Sequence, residues 1–271
     1  MTAMNAARLR AELVGPYAAL DVVSSTGSTN ADLRAAAGTG QTPDRTVLIA
    51  EEQTAGVGRR ARTWVSPKGA GLYLSVLLRP HGVGFTKLGS LALVAGLAVT
   101  DLTADLGVDA ALKWPNDVLA GPERGKCAGI LAESVAAEET AVVLGIGLNI
   151  RPLGPGVEPG PGGLRPTSLA EQGARTTDRT ELALLLLSAL DRRERRWRAA
   201  GGDLAAAGLL EEYRARCETI GQQVRVMLPG DATLLGTATD VDPSGQLMVT
   251  DETGKPHTVL AGDVVHLRAV P

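Results

Sequence analysis

The chain has 271 residues and a mass of 27.9 kDa, enough for one large domain or for a medium and a small one. Its residues are 44% apolar but only 3% aromatic, so a core is affordable and must be built from Leu, Val, Ile and Ala. A formal net charge of −3 and an isoelectric point near 5.7 argue against a general nucleic-acid binder, whose domain is normally basic.

Cys127 and Cys217 form no disulfide framework and no C-x-x-C, which fits a reducing, cytoplasmic setting. His81, His257 and His266 have no metal-ligand spacing. The longest unbroken apolar run, 182–187, is far short of the ~18 residues that would mark a membrane span. Arg8, Arg10 and Glu12 stand where a signal peptide would carry its apolar core.

In chain order, Ser28-Thr29-Asn30 precedes an alanine-rich stretch ending at Gly38, which predicts a capped short helix. Strands are expected at 46–50 and 72–78. From 87 to 107, Leu88, Leu91, Ala95, Val99, Leu102 and Leu106 keep helical spacing, and Gly107 ends it. Strands follow at 110–113, 127–132 and 141–149. The Gly- and Pro-rich stretch 151–166 reads as a mobile or ligand-gating loop without a packed element. A second long helix spans about 180–200, with Asp191–Arg195 and Glu194–Arg198 at i,i+4. Its run Arg192-Arg193-Glu194-Arg195-Arg196 reads as a salt-bridged face rather than a nucleic-acid patch. After Cys217, short strands at 223–228, 235–240, 246–250 and 257–260 alternate with turns at 229–231, 242–245 and 254–256. The expected division is 1–217 and 218–271, the second unit being a small closed β sheet.

Between the strands at 46–50 and 72–78 lies Glu51-Glu52-Gln53-Thr54-Ala55-Gly56-Val57-Gly58-Arg59-Arg60-Ala61-Arg62-Thr63-Trp64. Its glycines let the backbone approach a ligand, and its arginines present forked donors suited to phosphate or carboxylate. Gly56 to Ala61 satisfies G-x-G-x-x-G/A, yet Pro67 and Gly69 follow instead of a helix. The position about 20 residues on, where a ribose-binding acid belongs, is occupied by Val76-Leu77-Leu78-Arg79. A dinucleotide fold is therefore rejected, and no G-x-x-x-x-G-K-[ST] is present. Alone, such a loop would be a solvated basic hairpin. Other clusters change the reading: Lys113-Trp114-Pro115-Asn116-Asp117, Gly125 to Glu133 with Lys126 at the lip of a strand, and Gly145-Ile146-Gly147-Leu148-Asn149.

Together with Trp64-x-Ser66-Pro67 and Gly71-Leu72-Tyr73-Leu74-Ser75, these motifs stand in the family order of the biotin protein ligases, which the chain resembles strongly over about 20–150 and more weakly beyond. The resemblance implies an α+β fold: a mixed β sheet with flanking helices, of the class II synthetase-like biotin–lipoate ligase type, with a small C-terminal SH3-like barrel. It also implies a reaction in which the biotin carboxylate attacks the α-phosphate of ATP, giving biotinyl-5′-AMP, before a carrier-protein lysine takes the acyl group. ATP with Mg²⁺ and biotin are substrates, and no permanently bound cofactor is implied. The implied partner is the biotin carboxyl carrier domain of a carboxylase, with no DNA or membrane, and with the ligase as a monomer or weak homodimer. The 27 residues before Ser28 are too few for the DNA-binding domain that some members carry.

By the same resemblance, Ser28, Thr29 and Asn30 bind the biotin head group, and Gln53, Gly56, Val57, Gly58 and Arg59 surround its carboxylate. Trp64, Tyr73 and Gly129 wall the pocket. Lys126 bridges carboxylate and α-phosphate, and with Arg59 forms the catalytic pair; neither has an evident partner in the local sequence. Arg60, Arg62, Lys113, Trp114, Asn116, Asp117 and Asn149 serve the nucleotide, with Asp117 the candidate contact for Mg²⁺. Read without the resemblance, Ser28 and Thr29 could be only a helix cap, and Asn116 and Asp117 turn formers. Cys127 reads as a small buried hydrophobe. Where the family loop often has arginine and glycine, this chain has Val57 and Ala61, so positive φ need not be adopted at 61. The rival readings are a lipoate or octanoate ligase or transferase, and a non-catalytic biotin sensor or regulator.

Overall fold

The computed structural model describes residues 3–135, 140–154, 156–228, 232–260 and 263–266; the turn expected at 229–231 falls outside them. Asn5 accepts the Arg8 N–H at 3.0 Å and starts α1 (Ala6–Leu13), which buries Leu9 and Leu13. β1 (Ala19–Val23) follows. The sequence reading missed both: α1 is charged outside its leucines, and β1 carries Asp21 at its centre. Then come α2 (Thr29–Gly38), β2 (Thr46–Ala50) and β3 (Gly71–Leu78).

The helix α3 (Leu91–Asp105) is buried on nearly every face, as its almost uninterrupted apolar sequence requires. The segment Phe85–Asp105 is long and apolar enough to cross a membrane, but 67% of its apolar window is buried inside the protein. β4 (Ala110–Lys113), β5 (Asp117–Ala120), β6 (Gly125–Val135) and β7 (Ala141–Asn149) complete a seven-stranded sheet in the order β1-β2-β3-β7-β6-β5-β4. Within it β1 and β2 run parallel and every other pair antiparallel.

Asp178 caps α4 (Arg179–Ala199) by accepting the Glu181 N–H at 3.0 Å. Both expected ion pairs are present, Arg195 to Asp191 at 2.8 Å and Arg198 to Glu194 at 2.6 Å. Arg193 and Arg196 pair with Glu212, on the short α5 (Leu210–Arg216). The arginine run thus fastens helices together.

The chain then enters β8 (Gln223–Met227), β9 (Thr233–Val241), β10 (Leu247–Asp251), β11 (Pro256–Val259) and β12 (Asp263–His266). They form an all-antiparallel sheet in the order β11-β10-β9-β8-β12, the SH3-like unit. Val224, Val226, Ala238, Val241, Leu247 and Val249 are fully buried and belong to the same apolar cluster as the first sheet. Polar contacts reinforce this join. Trp114 donates its backbone N–H to Thr219 Oγ1 and its ring N–H to the Gly245 carbonyl, at 3.0 and 2.9 Å. Arg214 Nη2 lies 2.6 Å from Asp240.

Candidate functional site

Alternation along the strands builds the site. On β3, Leu72, Leu74, Val76 and Leu78 enter the main core, while Ser75 and Leu77 turn to the face that α2 covers. Register then aligns two rows across the sheet. Ser75 stands opposite Gly145 and Gly145 opposite Leu131; Tyr73 faces Gly147, Gly147 faces Gly129, and Gly129 faces Asp117. Glycines in the middle strands leave a furrow. The Trp64 ring lies in it, so close that a Cβ on Gly147 would sit 2.4 Å from Trp64 Nε1 and one on Gly129 2.8 Å from Trp64 Cζ3.

The furrow opens into a cavity of about 190 Å³, lined among others by Ser28, Thr29, Asn30, Gln53, Trp64, Gly129, Gly145 and Gly147. Val57, Gly58, Arg59, Arg62, Lys113, Asn116, Asp117, Lys126 and Asn149 line it as well. A larger cleft of about 670 Å³ shares Lys113, Pro161 and Leu164 with it and runs between the two sheets past Arg124, Glu218 and His266. The buried Trp64 Nε1 and Asn149 Oδ1 have no hydrogen-bond partner among the described residues. A donor and an acceptor are thus left for a polar ligand.

The uncharged end is tightly bonded. Gln53 Oε1 accepts the Thr29 backbone N–H at 2.9 Å, and Gln53 Nε2 donates to Ser66 Oγ at 3.1 Å. Ser75 Oγ lies 2.7 Å from Thr29 Oγ1 and 2.6 Å from Asn30 Oδ1. The Ser28 side chain makes no cap hydrogen bond to α2, so capping does not explain its presence at the cavity wall.

The charged end is organised around Lys126. Its ammonium lies 2.6 Å from Asp117 Oδ1 and 5.3 Å from the centre of the Trp64 ring. The local sequence shows no partner for Lys126; the β5–β6 pairing brings Asp117 across to it. Asp117 also lies 3.9 Å from Lys113 Nζ, and Lys113 donates to the Val264 carbonyl at 2.7 Å. The Asp117 carboxylate is thus held between two ammonium groups in this arrangement. Among the described residues no group of three His, Cys, Asp or Glu side chains is placed to hold a metal. Asn116 donates to the Ile130 carbonyl at 2.9 Å, fixing its turn against β6.

The backbone around Lys126 is bound on both sides by the stretch expected to be loose. Lys126 N donates to Arg165 O at 2.8 Å, and Thr167 N donates to Lys126 O at 2.9 Å. Leu153, Val157, Glu158 and Leu164 from that stretch also line the cavity. It is an attached strap, and its apolar members were missed because Gly and Pro dominate its composition.

Four expected site residues lie elsewhere. Tyr73 is buried behind the wall and donates its hydroxyl to Pro67 O at 3.0 Å; burial raises its phenol pKa. Trp114 faces the C-terminal sheet, as described above. Arg60 reaches the Met227 and Leu228 carbonyls, each at 3.3 Å. Gly56 supports the loop from outside the cavity: Trp64 N donates to Gly56 O at 2.8 Å, and a Cβ there would meet Trp64 O at 2.5 Å. Although Ala61 does not require positive φ, the loop adopts it there. Gly58 N donates to Arg62 O at 2.7 Å, and closing that short loop takes Arg60 to φ 54° and Ala61 to φ 55°. For a residue with a Cβ this costs roughly 1–2 kcal/mol.

Glu51, first in the loop motif, does not reach the cavity. It accepts the Met4 N–H at 2.8 Å and pairs with Arg179, tying the N-terminus to α4. Cys127 is fully buried, and burial pushes its thiol pKa up to about 12, which removes it as a nucleophile.

Known proteins resemble this chain in sequence and fold. Residues 22–149 match the model of the biotin/lipoate A/B protein ligase family, and residues 219–267 match the biotin protein ligase C-terminal domain. The chain is 46% identical to the biotin–[acetyl-CoA-carboxylase] ligase of Mycobacterium tuberculosis, across 96% of this chain and 94% of that protein. It is 31% identical to the bifunctional ligase/repressor BirA of Escherichia coli, across 92% of this chain and 74% of that protein. The biotin protein ligase of Aquifex aeolicus, solved in complex with biotin and ATP, superposes with a TM-score of 0.75 at 26% identity, covering 93% of this chain and all of that one. With its motifs, both sheets and nearly its whole length matched, the chain belongs to the biotin protein ligase family.

Proposed function

We propose that the protein biotinylates a lysine of the biotin carboxyl carrier domain of a cytoplasmic carboxylase, in two steps. Biotin's carboxylate oxygen attacks the α-phosphorus of MgATP and pyrophosphate leaves, forming biotinyl-5′-AMP. The neutral amine of the carrier lysine then attacks the acyl carbon; AMP leaves, and the amine's proton passes to solvent. No side chain of the ligase needs to become covalently attached, consistent with a protonated, buried Cys127.

The observation that carries this reading is one cavity lined by a neutral hydrogen-bonding set, Thr29, Asn30 and Gln53, and by a cationic set, Arg59, Arg62 and Lys126. The head group of biotin fits the first, because a ureido ring needs both donors and acceptors. Its carboxylate and the ATP phosphates fit the second, where Arg59, Arg62 and Lys126 line the wall. Lys126 bridges the attacking carboxylate and the α-phosphate, and gains most as charge builds between them. Release from Asp117 supplies the flexible ammonium for that role. Lys113, Asn116 and Asn149 sit on the nucleotide side, and Mg²⁺ arrives with ATP. We assign residues 1–217 to the chemistry and 218–271 to the domain that closes the cleft.

Intact-mass analysis of a carrier domain incubated with the protein, MgATP and biotin tests the proposal. A biotin-sized gain that requires ATP is expected, with none from lipoate or octanoate. Gain only with lipoate would move the chain to the lipoate ligases. Binding of biotin without transfer would favour a sensor.

A further inference from the structure

Glu133 and Arg34 have no part in the roles assigned so far, yet a continuous set of short contacts leads from them to the cavity. Arg34 Nη1 lies 2.9 Å from Glu133 Oε1, and Asn30 Nδ2 donates to Glu133 Oε2 at 2.8 Å and to the Leu131 carbonyl at 3.3 Å. A carboxylate and a carbonyl only accept, so this environment fixes which way the Asn30 amide faces. Both protons of its nitrogen are then used inside the protein, and Oδ1 must face Ser75. That oxygen only accepts, so the fully buried Ser75 hydroxyl commits its one proton to it, at 2.6 Å.

The next contact has one remaining solution. Ser75 Oγ and Thr29 Oγ1 are 2.7 Å apart, which requires a proton between them, and Ser75 has none left. Thr29 must supply it. The alternative acceptor for the Thr29 proton, Gln53 Oε1, is farther away at 3.1 Å and already accepts the Thr29 backbone N–H. With its proton pointed inward, Thr29 Oγ1 keeps its lone pairs for the cavity that Thr29 lines.

We infer that Glu133, held by Arg34, is a positioning residue that sets the direction of a hydrogen-bond chain through Asn30, Ser75 and Thr29, making Thr29 Oγ1 an obligate acceptor for an N–H of the bound ring. Asn30 on this account makes no direct polar contact with the ligand; it transmits orientation. Removing Glu133 leaves Asn30 only the 3.3 Å contact with Leu131 O, which no longer prevents the amide from turning over. A turned amide would donate to Ser75, and the Thr29 hydroxyl would lose its fixed sense. This inference rests on the proposed binding of biotin.

The test compares biotin with its two carbamate isomers, in each of which one ureido N–H is replaced by oxygen. Calorimetry on the wild-type protein should show one isomer binding about 10-fold or more weaker than biotin, the value of one lost hydrogen bond. In Glu133→Ala the biotin affinity should fall about 10-fold and the preference for biotin over that isomer should shrink below about 3-fold. The KM for biotin should rise with it, while kcat at saturating biotin and the KM for ATP stay within about 2-fold. Glu133→Gln, which keeps an oxygen acceptor, should recover part of the preference. Arg34→Glu, a change at an exposed site that repels Glu133 from its place, carries the same test if Glu133→Ala folds poorly. A folded variant that retains the wild-type preference overturns the inference. Wild-type protein that binds no biotin at all would instead overturn the functional proposal, and this inference with it.

Discussion

The two ends of the cavity are built on opposite principles. At the neutral end, Thr29, Asn30, Gln53 and Ser75 bond to one another and to the sheet, and the first two and Ser75 are almost completely buried. At the charged end, Lys126 is held by one ion pair with Asp117, its side chain 26% exposed, next to a loop with positive φ at Arg60 and Ala61. A saturated, buried network is costly to rearrange and therefore discriminates. A partly exposed ion pair costs little to break, so its lysine can be redirected to a developing charge. On the proposed function, selection and chemistry are separated along one cavity.

Lys126→Ala breaks the comparison most severely. Biotin-dependent pyrophosphate release should fall about 1000-fold while the protein stays folded, because the partly exposed pair with Asp117 carries little of the fold's stability. Next is Gly147→Ala, whose added Cβ would collide with the Trp64 ring at the neutral end. Its biotin affinity by calorimetry should fall roughly 10- to 100-fold, the scale of an overpacked site. Asp117→Asn sharpens the charged side: Lys126 then needs no release from a resting partner, so pre-steady-state adenylate formation should stay within about 3-fold of wild type. Lys113→Met removes the 2.7 Å bond to Val264 O and tests the join between the sheets. The loss of about 1–2 kcal/mol should lower Tm by roughly 2–5 °C in a thermal melt. Arg60→Ala is the smallest change. It lies outside the cavity, and the KM for ATP should move less than about 2-fold, as for surface side chains generally.

Much of this was legible in the chain. The long helices followed from apolar spacing, and the Asp191–Arg195 and Glu194–Arg198 pairs from i,i+4 charge order. The motifs between Ser28 and Asn149 pointed to the family, and most of their residues line one cavity. What stayed hidden depends on lateral register. Nothing local places Gly129 opposite both Gly147 and Asp117, and that row forms the furrow and supplies Lys126 with its partner. Ser75 gave the one available hint, a hydroxyl within Leu72-Tyr73-Leu74-Ser75-Val76-Leu77-Leu78, where a fully buried polar group requires a partner. Trp114 and Tyr73 were placed in the site because their motif neighbours are there, although Trp114 turns to the second sheet and Tyr73, on the furrow face, is covered and spends its hydroxyl on Pro67 O.

The most direct test sets Thr29→Val beside Lys126→Ala and measures, for each, biotin binding by calorimetry and biotin-dependent exchange of pyrophosphate into ATP. Separation of selection from chemistry predicts opposite patterns. Thr29→Val should bind biotin about 10-fold or more weakly yet keep exchange within about 3-fold at saturating biotin. Lys126→Ala should bind biotin within about 5-fold of wild type and lose exchange. If both variants lose binding and exchange together, the two ends act as one unit and the division proposed here is wrong.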